Sequence, residues 1–124
     1  MQIILDTSSL IRFFTNDIPE KAEKVEKLFV EKLLIIPDVV FPELEYILSK
    51  GYGSTRVEIV TAYHFLLAKR NIKISPHVRK GVAIFDKTKL DMADCIIAAY
   101  SLKGSLASFD KELLKVEKVK SFWN

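Results

Sequence analysis

Cysteine occurs once in 124 residues and histidine twice. The single thiol, Cys95, rules out an internal disulfide, and with His64 and His77 standing alone no Cys/His cluster exists to hold zinc. Cys95 lies inside an apolar run, where a buried and inert thiol is expected, as suits a reducing cytoplasm. No apolar stretch approaches the roughly 20 residues that a membrane span needs. Met1 leads straight into a strand-like Ile3-Ile4-Leu5 with no basic leader, so the expectation is a soluble, cytoplasmic protein with no membrane partner. Linkers, repeats and low-complexity segments are missing as well. The chain, 49% hydrophobic, therefore reads as one domain, 1–124, able to bury a contiguous core.

Charge is plentiful but nearly balanced, with 19 basic and 16 acidic residues and a net charge of +3. Many lysines belong to a solvated helix face, where Glu20 and Glu23 precede Lys24 and Lys27 at i,i+4. Four acids behave differently. Asp6, Glu43, Asp94 and Asp110 each sit in or at the end of an apolar segment. Setting these four of the 16 acids aside leaves twelve against 19 basic residues. A basic surface around an acidic pit suits a protein that handles phosphates. Four buried carboxylates on one spot would require a cation.

Residues 2–6 and 33–37 form short, nearly continuous apolar runs, the pattern of strands covered on both faces. Residues 105–109 give a third such strand, Ile72 and Ile74 a short alternating one, and 119–123 an edge strand. Helices are predicted over 7–14, over 20–32 behind Pro19, over 39–49 with Asp38 as N-cap and a stop before Gly51, and over 55–70 capped by Ser54. Further helices are predicted over 76–85 and 91–102, the latter closed by Gly104, with a helical turn after Asp110. Strands alternating with helices define an α/β domain with a mostly parallel sheet between helical layers.

Each acid has a purely structural alternative. Asp6 and Asp110 end strands and precede helices, so either can cap the helix that follows; ligand sites in open α/β sheets also lie at such strand ends. Glu43 has Val39, Val40 and Ile47 as its helical neighbours, which puts it on the apolar stripe; the alternative is snorkelling or a basic partner. Asp94 is the lone charge between Met92 and Tyr100, an embedded carboxylate or else an acid at N3 opposite an Asp91 cap.

Asp6-Thr7-Ser8-Ser9-Leu10-Ile11-Arg12, Pro42-Glu43-Leu44, Asp94-Cys95-Ile96-Ile97-Ala98-Ala99 and Ser108-Phe109-Asp110 resemble the motifs of PIN-domain ribonucleases. Their order and spacing look most like VapC-type toxins of toxin–antitoxin pairs, and the resemblance covers essentially the whole chain. Ser8 departs from the family's usual Asn, yet its hydroxyl can still bond a carboxylate or a metal-bound water. The resemblance implies a three-layer α/β/α sandwich, Mg2+ or Mn2+ held by Asp6, Asp94 and Asp110 with Glu43 completing the pocket, and cleavage of single-stranded or looped RNA. Thr7 and Ser108 are candidates for supporting roles. Arg12 can meet a substrate phosphate or an acidic helix, and His77, Arg79, Lys80, Lys87 and Lys89 form a basic stretch that is either an RNA track or solvated surface. The resemblance also implies a small antitoxin partner and a homodimer. Surplus apolar residues on the helices 39–49 (Phe41, Leu44, Leu48) and 55–70 (Val57, Val60, Tyr63, Phe65) could supply the contact or equally fill the core. A housekeeping PIN nuclease without antitoxin, an inactive RNA-binding PIN-like module and a haloacid-dehalogenase-type phosphatase are the competing readings. The last would want an Asp where Ser8 stands.

Overall fold

Three two-residue strands, Ile3–Ile4 (β1), Leu34–Ile35 (β2) and Ile72–Lys73 (β3), pair side by side in parallel in a computed structural model that describes residues 2–123. Ile3 stands beside Leu34 and Leu34 beside Ile72, so the strands end level. The ladder runs one residue further, with the Leu5 N–H donating to the Ile35 carbonyl at 2.9 Å and the Ile36 N–H to the Lys73 carbonyl at 3.2 Å. Leu5, Leu34, Ile36, Ile72 and Ile74 are buried, whereas Ile4 is 57% exposed, Ile35 is half-buried and Lys73 is exposed, so burial alternates along the strands and the expectation of strands covered on both faces does not hold. Because parallel strands in register leave the sheet at one edge, the chain after β1 and the chain after β2 emerge together there. That edge carries Asp6.

The chain divides into two compact units, residues 1–75 and 76–124. The first holds the sheet with α1 (Thr7–Thr15), α2 (Pro19–Glu31), α3 (Val40–Tyr52) and α4 (Arg56–Leu67). Pro19 opens α2 as the sequence predicts, and Ala22, Val25 and Phe29 are its buried stripe. Its outer face is solvated, with Lys27 and Glu23 3.9 Å apart. The second unit holds α5 (Pro76–Lys87), α6 (Met92–Ser101) and α7 (Lys111–Leu114). Among the described residues no helix is long and apolar enough to cross a membrane.

The α/β class and the parallel sheet agree with the sequence, while several local expectations change. Asp38 does not cap α3: the N-cap is Val39, which makes no side-chain cap bond, and the Asp38 carbonyl instead accepts from Phe41 N–H at 3.2 Å as part of a preceding turn. The helix runs through Gly51 and stops where Gly53 takes φ 66°, a left-handed conformation that favours glycine. Thr55, not Ser54, caps α4 in a reciprocal box with Glu58, the paired bonds measuring 2.8 and 3.2 Å. Residues 105–109 and 119–123 form no strands; one parallel bridge joins Leu106 to Ser121. Beyond it the Ser108 hydroxyl accepts from Asp110 N–H at 2.9 Å, a local bond that takes the backbone out of a ladder. Phe41, Leu44, Leu48 and Tyr63, candidates for an interface, are core residues, and the Tyr63 hydroxyl donates to the Phe41 carbonyl at 2.5 Å.

Candidate functional site

In the first unit Asp6 leaves β1 at the carboxyl edge of the sheet and becomes the N-cap of α1, its Oδ1 accepting from Ser9 N–H at 3.0 Å and from the Ser8 hydroxyl at 2.9 Å. These bonds, the Ser9 amide first and the Ser8 hydroxyl next, hold the Asp6 carboxyl below its ordinary value of 3.8 against a smaller opposing effect of burial. The Ser8 hydroxyl thus helps the Ser9 amide to orient the Asp6 carboxylate and favour its charged form. Thr7, buried at the first turn of α1, donates its hydroxyl proton to Glu43 Oε1 at 2.6 Å. That bond brings the start of α1 and the start of α3 together, so Asp6, Thr7, Ser8 and Glu43 make one constellation. Glu43 itself is exposed: the buried stripe of α3 is Val40, Phe41, Leu44 and Leu48, and the expectation that Glu43 shares it is wrong by one helical face. Val39 and Tyr46, at i−4 and i+3 from Glu43, are exposed with it.

In the second unit Asp91 caps α6 by accepting from Asp94 N–H at 2.9 Å. Asp94 lies at N3, half-buried, and its carboxyl is pushed above 3.8, by burial first and then by the negative charges of Asp91 and Asp110. Asp110 caps α7, its Oδ1 accepting from the amides of Glu112 and Leu113 at 3.0 and 3.1 Å, while Ser108 holds its own N–H. Capping and candidate ligation therefore coincide at Asp6 and Asp110. The sequence reading treats Asp91 only as a cap; its charge acting on Asp94 is visible once both stand on one helix turn.

Among the described residues, none of Asp6, Glu43, Asp94 and Asp110 forms an ion pair. No group of three or more His, Cys, Asp or Glu is gathered there as a ready metal cage; the acids stand two in each unit. As a donor set they nevertheless suit a hard divalent cation, being carboxylate oxygens with no ion-pair partner among the described residues and, at Asp94, a charge disfavoured by burial and repulsion. Arg12, a candidate for meeting a phosphate, is instead paired with Asp17 at 2.7 Å. His77 lies flat on Tyr100, ring centroids 3.7 Å apart, and Cys95 is buried as expected.

The PIN domain family matches residues 3–119. A curated VapC ribonuclease of Aquifex aeolicus (strain VF5) is 29% identical over 123 residues, covering 91% of this chain and 90% of that protein. No solved structure matches at a significant level.

Proposed function

We propose that this chain, which belongs to the PIN-domain family, is a divalent-metal-dependent endoribonuclease of single-stranded or looped RNA, and the toxin of a type II toxin–antitoxin pair. The observation that carries the reading is a set of four carboxylates without an ion-pair partner among the described residues, of which Asp6, Glu43 and Asp110 are held by amides and hydroxyls while Asp94 stands under repulsion from Asp91 and Asp110. Capping accounts for Asp6 and Asp110 by itself, but the half-buried Asp94 beside the charges of Asp91 and Asp110 is a costly placement that a bound cation would relieve. Similarity to a VapC ribonuclease along 91% of the chain supports the same reading and a single nuclease domain over 1–124.

Asp6, Glu43, Asp94 and Asp110 would hold Mg2+ or Mn2+, and such an ion, when bound, supplies Lewis-acid activation of a water and neutralises charge developing on the phosphodiester oxygens. The chain's own groups do the positioning. Ser8 and the Ser9 amide keep Asp6 ionised and aimed. Thr7 spends its one proton on Glu43, which fixes that carboxylate as an acceptor. The amides of Glu112 and Leu113 do the same for Asp110. Asp94, whose ionised form is disfavoured by burial and then by its acidic neighbours, gains most from a cation.

Purified protein should cleave single-stranded RNA with Mg2+ or Mn2+, lose all cleavage in EDTA and regain it when the metal is restored. Cleavage that persists undiminished in EDTA, in a preparation whose Asp6→Asn variant is inert, would show that the carboxylates act without metal.

A further inference from the structure

Phe109 is the most exposed large hydrophobic residue described, at 87%, and it immediately precedes Asp110. Its ring is stacked on Trp123, centroids 4.7 Å apart and planes 12° from parallel, and Phe122 meets Trp123 edge-on at 5.8 Å. Trp123 and Phe122 are themselves 46% and 64% exposed. The arrangement is pinned rather than loose. The Leu106 N–H donates to the Lys120 carbonyl at 2.7 Å, the Phe122 N–H to the Leu106 carbonyl at 2.8 Å, and the Ser121 hydroxyl to the Trp123 carbonyl. An apolar cluster held open to water in this way has no packing role to explain it.

We infer that Phe109, Trp123 and Phe122 form a stacking platform for an unpaired nucleobase of the RNA substrate, placing the strand beside Asp110. The inference rests on the nuclease reading above and names how that site takes its substrate. Every base offers a π face, so stacking tolerates any sequence, but only an unpaired base can offer it, which selects single-stranded or looped RNA. Charge complementarity favours RNA over a protein as the occupant. Lys111, Lys115, Lys118 and Lys120 lie between Phe109 and Trp123 in the chain, against Asp110, Glu112 and Glu117, so the segment is net positive by one and more so once Asp110 is taken up by a cation. Lys115 and Lys118 also line, with Lys80 and Lys87 and one acid, Glu117, a pocket of about 520 Å3. Lys115 makes a loose pair with Glu112 at 3.3 Å, while Lys80, Lys87 and Lys118 have no ion-pair partner among the described residues. Aromatic faces on a lysine-rich segment match a strand of bases on a phosphate backbone.

Trp123 is the only tryptophan, so its fluorescence reports on the platform directly. Full-length protein titrated in EDTA with a single-stranded oligoadenylate should show saturable quenching, and the same strand in a duplex much less. Phe109→Ala and Phe109→Leu should each weaken oligoadenylate binding about tenfold and raise KM for cleavage similarly, with kcat little changed, while Phe109→Tyr, which keeps the ring, retains parental values. Parental binding and KM in both the Ala and Leu variants, or bound RNA that leaves Trp123 emission untouched, would overturn the platform and leave the nuclease reading intact. So would unchanged RNA affinity together with a changed mass by light scattering, which would make the patch a protein contact. Absence of both binding and cleavage in the parent would overturn the nuclease reading and the platform with it.

Discussion

Asp6 separates two roles that coincide on one side chain. Asn caps a helix about as well as Asp, so Asp6→Asn should leave folding nearly unchanged while activity falls by about 100-fold or more, because the charge is gone and the cap is not. Circular dichroism and RNA cleavage on the same preparation check both halves; parental cleavage would remove Asp6 from the site. Thr7→Val keeps the shape of a buried residue and deletes its bond to Glu43. Glu43 is exposed and can turn to water, so the stability cost should be only about 1 kcal/mol, while kcat drops about tenfold and Thr7→Ser restores it. Much of this constellation was legible beforehand, since an acid at the end of an apolar strand is conspicuous in sequence. Glu43's exposure was not, because α3 buries Phe41 rather than Val39, a choice made by the helix's packing partners and not by its own periodicity. Phe109 escaped notice for a related reason: an aromatic residue beside Asp110 reads as strand core until its neighbours are known.

At the level of elements, the ends of α1 and α3 are latched. Arg12 and Thr15, near the end of α1, and Tyr52, the last residue of α3, all donate to Asp17, at 2.7, 3.0 and 2.9 Å. Burial opposes ionisation of Asp17, but the bonds from Tyr52, Thr15 and Arg12 together outweigh it and hold its carboxyl below 3.8. A depressed folded value means that the latch contributes fully above the ordinary value of 3.8 and is lost as pH falls from there through the folded value. Asp17→Asn should therefore lower the melting temperature by no more than a few degrees near neutrality, and the gap between variant and parent should close in strong acid. A gap that persists unchanged at pH 2 would assign the effect to something other than the charge. The pair α5 and α6 is joined differently, by close approach. A Cβ at Gly81 would stand 3.1 Å from Met92 Cε and 3.3 Å from Ile96 Cγ1. Gly81→Ala should cost about 1–2 kcal/mol by denaturant titration, overpacking outweighing the better helix propensity of Ala. The helices themselves were legible from Pro19, Asp91 and the i,i+4 pairs. The extents of strands were not, because the apolar runs at 2–6 and 33–37 carry no alternation in sequence to mark where pairing stops, and whether 105–109 joins a ladder depends on a distant segment and on the local Ser108 bond.

For the whole molecule, the family match over residues 3–119 takes in both units, and the expected behaviour follows from surface character. Basic residues exceed acids outside the proposed site, so KM for RNA should rise steeply with salt while kcat changes little; a flat salt profile would argue against a cationic substrate track. Val39, Tyr46 and Val57 remain exposed, just before α3, on it and on α4 respectively. The proposed homodimer should appear by light scattering at twice 14.2 kDa, and a small antitoxin encoded nearby should inhibit cleavage; a monomer at micromolar concentration would count against the first. The sole cysteine has a further use. Cys95 is fully buried in α6, so a thiol reagent can reach it only when that part of the molecule opens. The rate of modification of native protein is thus a clock for opening, readable without any probe being introduced, and slowing of that clock on adding Mn2+ would report metal binding in a protein that has not been asked to cleave anything.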